Sequence, residues 1–232
     1  MTVETLYNRS HRFYQNNSSY VCFNMKASST IDTKEQILTV AEELFAELGY
    51  AGTSLRRVIK EAGVNLSAVH YHFGSKEELF RAVVARTAQP IVTKSLEQLA
   101  IVEANKENPS VEDILEAFLA PSLEIIIDRK IDSPLNCARL IGRSRTEPDP
   151  IQEIAEEEFE KLGQAYLDAL QRILPDQSRN QIDWKLDLVV AGLIRVLTEA
   201  GKPNALIEDN SPESVKVAVS KLVTFFAPAM RS

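Results

Sequence analysis

T-S-L-R-R-V-I-K-E-A-G-V-N-L-S-A-V-H-Y-H-F-G-S-K-E-E-L, residues 53 to 79, carries the signals for two short helices and the start of a third within 27 positions. Leu55, Val58, Ile59 and Ala62 recur at helical spacing, Gly63 ends that helix, and Asn65 is placed to cap the next. This spacing predicts a helix-turn-helix, the layout that carries its second helix outward to a DNA major groove. The second helix reads as Leu66 to Phe73, with Val69 and Phe73 turned inward and Ser67, Ala68, His70 and Tyr71 outward. Small residues beside an imidazole and a phenol let the backbone approach a groove wall while the rings reach base edges and phosphates. Gly74 breaks this helix, and Ser75 with Glu78 predicts an S-x-x-E capping box for the next one. Lys76 then sits in a first turn, where the helix dipole opposes a cation. It is either an ordinary surface lysine or a contact for an anion such as a DNA phosphate.

Working outward, a helix over about 33 to 48 precedes this unit. Asp32 caps it, Glu35 takes the third position, and Ile37, Leu38, Ala41, Leu44, Phe45 and Leu48 form its buried stripe. Gly49 stops it, and either Thr53 or Ser54 can cap the helix that follows. On that helix Arg56 and Arg57 lie about 100° apart, so they cannot face the same partner. One can read a guanine while the other grips backbone, or both are solvated cations on an exposed face.

From Ser75 a long helix is predicted to about 105, with Leu79, Phe80, Val83 and Val84 in the head's core and a kink at Pro90. Further helices are marked by their punctuation: one from Ser110 to about 130 bent at Pro121, a short one from Ser133-Pro134, and one from Asp149-Pro150 to Leu174. Two more run from Ser178 to Ala200 and from Ser211-Pro212 to about Met230. No β-pattern competes, so the fold class is all-α. Its organisation is a helix-turn-helix domain over 31 to 85 and a helical domain over 86 to 232.

Residues 1 to 30 are polar and without sustained period, and are expected to be disordered. Met25 offers an alternative start of translation. Arg9, Arg12 and Lys26 would be the contacts if the segment were a minor-groove arm.

The stretch L-T-V-A-E-E-L-F-A-E-L-G-Y-A-G-T-S (38 to 54) followed by G-V-N-L-S-A-V-H-Y-H-F-G-S-K-E-E-L-F (63 to 80) resembles the DNA-binding domain of the TetR/AcrR family of bacterial transcription regulators. The resemblance implies a homodimer with two such heads, a helical C-terminal domain that binds a small molecule, and release of a palindromic operator on double-stranded DNA when it does. It also implies phosphate contacts at Thr53 or Ser54 and at Tyr71, His72 and Lys76, and places Arg56 where some members carry a base-reading arginine. His70 departs from the family pattern, which usually has tyrosine there, so the operator cannot be borrowed from a relative. The implied DNA-contacting set is therefore Thr53, Ser54, Arg56, Arg57, Leu66, Ser67, Ala68, His70, Tyr71, His72 and Lys76.

Net charge is −7, divided as +2 over residues 1 to 30, −1 over 31 to 90 and −8 beyond. The head is not basic overall, so DNA contact must come from a local patch of Arg56, Arg57, Lys60 and Lys76. No apolar run of about 18 residues predicts a membrane span, no secretory leader is legible, and the expected location is cytoplasmic. Cys22 and Cys137 suggest neither a disulfide framework nor a metal site. His70 and His72, two apart on a helix, diverge by about 200° and make a poor metal pair. No nucleophile and base pairing, phosphate loop or metal spacing points to an enzyme, and no cofactor is expected.

In the C-terminal region Phe118, Leu123, Cys137, Ile141, Phe159, Tyr166 and Trp184 can line a pocket for a small apolar or amphipathic effector, or simply pack a core. The pattern R-L-I-G (139 to 142) and the closing F-F-A-P-A-M-R (225 to 231) are similar to family members that answer to fatty acids or acyl-CoA. Arg139, Arg143 and Arg145 could then attract a carboxylate or phosphate. The last two helices carry apolar residues on two sides, which suits burial against both the subunit and a two-fold partner, or a larger monomer core. A protein of this fold that acts through a protein partner without any effector is the alternative.

Overall fold

The computed structural model describes residues 32–124, 134–144, 147–209 and 211–232, and every regular element among them is a helix. Cys22, the Met25 start, the arm residues Arg9, Arg12 and Lys26, and Arg145 lie outside the described residues. In chain order the helices are α1 (Thr33–Gly52), α2 (Leu55–Ala62), α3 (Leu66–Phe73), α4 (Lys76–Asn105), α5 (Val111–Glu124), α6 (Pro134–Ser144), α7 (Ile151–Ile173), α8 (Arg179–Glu199) and α9 (Pro212–Arg231).

Their starts follow local capping chemistry. Asp32, Ser54, Asn65, Ser75, Ser178 and Ser211 each accept a hydrogen bond from a first-turn backbone N–H. Ser178 and Gln181 form a reciprocal capping box. Ser110 and Asp113 exchange the same pair of bonds ahead of α5. At Ser75 only half of the expected box forms: its hydroxyl takes the Glu78 N–H, while its own N–H donates to the Phe73 carbonyl. α1 is broken at Gly49, whose φ of 74° lies in the left-handed region, so the regular helix ends where the glycine predicts. α4 continues through Pro90 as one helix of 30 residues.

Two hydrophobic clusters divide the molecule, and they part within α4 between Val84 and Ala88. The head cluster joins Ile37, Leu38, Phe45, Val58, Val69 and Phe80 to their neighbours on α1 to α4. It is not closed by the head alone: Leu140 of α6 and Ile151, Ile154 and Ala155 of α7 complete it. α6 accordingly packs along α1. The larger cluster fills the space between α4 to α9. Arg86 of α4 bridges back to Glu35, Thr39 and Glu42 of α1, which fixes the long helix against the head.

Candidate nucleic-acid interface and ligand cavity

The turn between α2 and α3 is closed by Gly63 at φ 63°, ψ 27°, a left-handed conformation that costs glycine nothing. The Gln36 side chain donates to the Ala62 carbonyl at 2.7 Å and ties the end of α2 to α1. Val69 and Phe73 anchor α3 in the head core, which leaves Leu66 and Tyr71 at 54% and 86% exposure on its outer side. Ser67 and His70 share that outer surface and Ala68 is half-buried. The His70 ring turns back, its Nδ1–H donating to the Gly74 carbonyl at 2.9 Å, so Nε2 is the nitrogen left to meet a partner. His72 is half-buried between the Tyr71 and Phe73 rings.

Thr53 corrects one expectation. Its side chain is buried, and its hydroxyl donates to the carbonyls of Leu44 and Gly49 at 3.0 and 2.9 Å. It closes the break in α1 and offers no hydroxyl to a phosphate, whereas Ser54 takes the cap and stays exposed.

The two arginines of α2 are both exposed and differ in their neighbours. Arg57 is paired with Glu61 one turn on, at 2.7 Å. Among the described residues Arg56 makes no ion pair. Lys76 is held with its ammonium 4.0 Å from the centroid of the Tyr50 ring, a cation–π contact that accounts for a cation in this first turn. Partial burial there lowers the lysine's affinity for its proton. Tyr50 stacks on Phe45 and meets Phe80 edge-on, and burial together with its bond to Glu77 raises its phenol above the ordinary range. Tyr50 therefore seats Lys76 beside α3, a role that its place after Gly49 does not announce.

Across the head, α6 and α7 wall a cavity of about 650 Å³. Cys137, Ala138, Ile141 and Ser144 of α6 face it, as do Phe118 of α5, Phe159 of α7 and Leu186, Val190 and Leu193 of α8. Four of the seven residues expected at a pocket are there: Phe118, Cys137, Ile141 and Phe159. Leu123 is fully buried in the core, and Tyr166 is buried with its hydroxyl donating to the Ser95 carbonyl at 2.7 Å; neither lines the cavity. Trp184 is turned outward at 54% exposure. Arg139 and Arg143 are exposed on α6, and neither lines the cavity. Burial pushes the Cys137 thiol up to about 12.

Ala155 belongs both to the cavity wall and to the head's core, and Leu140, one residue before the cavity-lining Ile141, packs into the head. Beside them Glu147 accepts the Tyr50 backbone N–H at 2.8 Å. Cavity and head thus share one wall. No group of three or more His, Cys, Asp or Glu among the described residues is placed to hold a metal, and none of their helices is long and apolar enough to cross a membrane.

Two family models match the chain: "Bacterial regulatory proteins, tetR family" over residues 37–83, and "Tetracyclin repressor-like, C-terminal domain" over 116–229. The HTH-type transcriptional repressor BepR of Brucella suis biovar 1 is 30% identical over 94 residues, 40% of this chain and 43% of BepR. The chain spans about half the length of the first curated relatives it matches. Among solved structures, the fatty acid degradation regulator FadR of Bacillus halodurans superposes with a TM-score of 0.59 at 14% identity, covering 88% of this chain and 99% of that one. FadR of Bacillus subtilis in complex with stearoyl-CoA gives 0.56 at 15%, covering 83% and 97%. At such identities the likeness is one of fold.

Proposed function

The chain belongs to the TetR family of bacterial regulators, and we propose that it is a homodimeric, sequence-specific DNA-binding repressor released from a palindromic operator by a small ligand in the α5–α8 cavity. The observation that carries this reading is the wall shared by cavity and head. A ligand pressing on Cys137, Ile141 or Ala155 acts on α6 and α7, whose other sides are packed into the head through Leu140 and Ile154. Release requires only that the ligand prefer the arrangement of heads that does not match successive major grooves.

On the DNA side we assign base contact to Arg56 and His70, close approach to Leu66, Ser67 and Ala68, and phosphate contact to Ser54, Arg57, Tyr71, His72 and Lys76. Dimerisation through α8 and α9 is supported by exposed apolar side chains on both: Trp184 and Leu188 on α8 and Phe225 on α9. The Phe226 ring lies against Gly192, where an added Cβ would meet it at 2.7 Å, so the two helices are already locked together within the subunit.

An acyl chain suits the apolar lining, and the two FadR structures are consistent with it. The carboxylate or phosphate head of a fatty acid or acyl-CoA finds no cation among the described residues that line the cavity. Selection of bound duplexes from a random library tests the regulator reading: enrichment of one palindrome supports it, and recovery of unenriched sequence refutes it.

A further inference from the structure

Among the described residues that line it, the opening of the cavity carries charge of one sign, and from this we propose that its ligand is an amphipathic cation, an apolar chain or ring system ending in an ammonium-like group. The inference rests on the ligand-responsive reading above and names the ligand's chemical class. Glu153, Glu156 and Glu160 of α7 and Asp183 of α8 are exposed and line the cleft between the two helices. Glu157 lies on the same rim, paired with Arg81 of α4. Among the described lining residues there is no lysine, arginine or histidine.

Behind the rim the wall turns apolar. Ile141, Leu186, Val190, Leu193 and Leu197 offer no hydrogen-bonding side chain, and half-buried Phe159 lies between Glu156 and Glu160 in the sequence of α7. A cleft with low-dielectric walls concentrates the field of the charges at its mouth. Such a mouth attracts a cation and repels an anion of the same shape. Aromatic faces near carboxylates add cation–π attraction for an alkylammonium head. The volume, about 650 Å³, falls in the range of sites that enclose a small organic molecule. Apolar depth, acidic mouth and aromatic lining together select a long or flat hydrophobic body with one positive end. They do not suit a fatty acid.

Isothermal titration of the full chain with three probes of equal chain length, each below its micellar concentration, tests this: dodecyltrimethylammonium, dodecanoate and dodecyl maltoside. The cation is expected to bind one per chain, at least tenfold more tightly than either other probe, with affinity that falls as salt rises. Glu153→Gln with Glu160→Gln, two exposed and near-isosteric changes, should reduce that preference at least threefold while leaving the maltoside unaffected. Gly163→Phe should abolish binding, because Gly163 lines the cavity and its Cβ position faces open space. Equal or tighter binding of dodecanoate would overturn the proposal, as would cation binding that survives Gly163→Phe. Duplex selection by the ligand-free protein is read separately, so failure of the ligand class and failure of the regulator reading are told apart.

Discussion

The carboxylate of Glu147 accepts the backbone N–H of Tyr50 at 2.8 Å, joining residues 97 positions apart across the boundary between the head and the cavity wall. Tyr50 in turn carries Lys76 over its ring at the foot of α4. One hydrogen bond therefore stands between Glu147, just ahead of α7, and a cation at the start of α4. Glu147→Ala should lower stability by about 1 kcal/mol, because it removes the acceptor of a half-buried N–H. Glu147→Gln, which keeps a carbonyl acceptor, should restore most of it. In DNA-release assays the alanine variant should need more ligand than wild type for half release; an unchanged midpoint would mean that the bond does not transmit occupancy.

Gly49 sits against the same carboxylate. Its φ of 74° is unfavourable for any L side chain, and a Cβ there would come within 2.7 Å of Glu147 Oε1 and 3.0 Å of Arg143 Nη1. Gly49→Ala is expected to cost about 1 to 3 kcal/mol by denaturant unfolding. Gly163→Ala, with nothing within 4 Å of the added carbon and a helical backbone, should instead stabilise by up to about 1 kcal/mol. Equal effects of the two substitutions would contradict the strain argument.

Three cations near α3 should behave differently on DNA. Arg56→Ala is expected to lose about 1 to 3 kcal/mol of discrimination between specific and scrambled duplex, the value of a bidentate base contact. Lys76→Ala should weaken both duplexes alike and flatten the salt dependence, with a fold-stability loss of about 0.5 to 1 kcal/mol from the missing Tyr50 contact. Arg57→Ala, whose guanidinium is shared with Glu61, should cost less specificity than Arg56→Ala. Anisotropy on both duplexes at two salt concentrations checks all three.

The buried Cys137 thiol sets an alkaline limit. Its proton is held up to about 12, whereas an exposed thiol loses it near 9, so the folded state binds more protons than the unfolded one between these values. This contribution to stability is complete below about pH 9 and is lost as pH rises towards 12. Tyr166, raised in the same direction by burial, adds to the loss at higher pH. In a Cys22→Ser background, thiol reagent at pH 8 should modify Cys137 at least a hundredfold more slowly than in denaturant. Rapid modification of the folded protein would show that the cavity wall is open to solvent at this position.

The exposed apolar side chains of α8 and α9 predict that Leu188→Arg combined with Phe225→Glu converts a dimer to a monomer at micromolar concentration by sedimentation. Loss of specific DNA binding should accompany it, since a single head contacts only half of a palindrome. A monomeric wild type would refute the assignment.

Much of this fold is legible because helix ends are local. Asp32, Ser54, Asn65, Ser75, Ser178 and Ser211 bond to backbone within three residues, so a few consecutive letters specify each start. The limits of α3 follow for the same reason, from Asn65 and Gly74. What escapes the sequence depends on distant partners. Thr53 and Ser54 are equivalent as caps until Leu44 and Gly49 draw the threonine hydroxyl inward. Lys76 has no visible partner until α1 brings Tyr50 under it. Helical periodicity marks Leu123, Tyr166 and Trp184 as apolar positions alongside Phe118 and Phe159, but it does not say whether such a position meets a neighbouring helix, a cavity or the exterior. The acidic rim is missed for a related reason: the glutamates of α7 and Asp183 of α8 form one rim only once the two helices lie side by side.

The most direct test of the account is the affinity of Gly163→Phe for the palindromic duplex enriched by selection, compared with wild type by anisotropy under identical salt. The added ring stands in for a bound ligand, since its Cβ enters open space on the cavity wall. At least tenfold weaker binding to that duplex, with unchanged melting temperature and dimer mass, is the predicted result. Equal affinity, in a variant whose cavity no longer admits the cationic probe, would contradict the claim that filling the cavity loosens the grip on DNA.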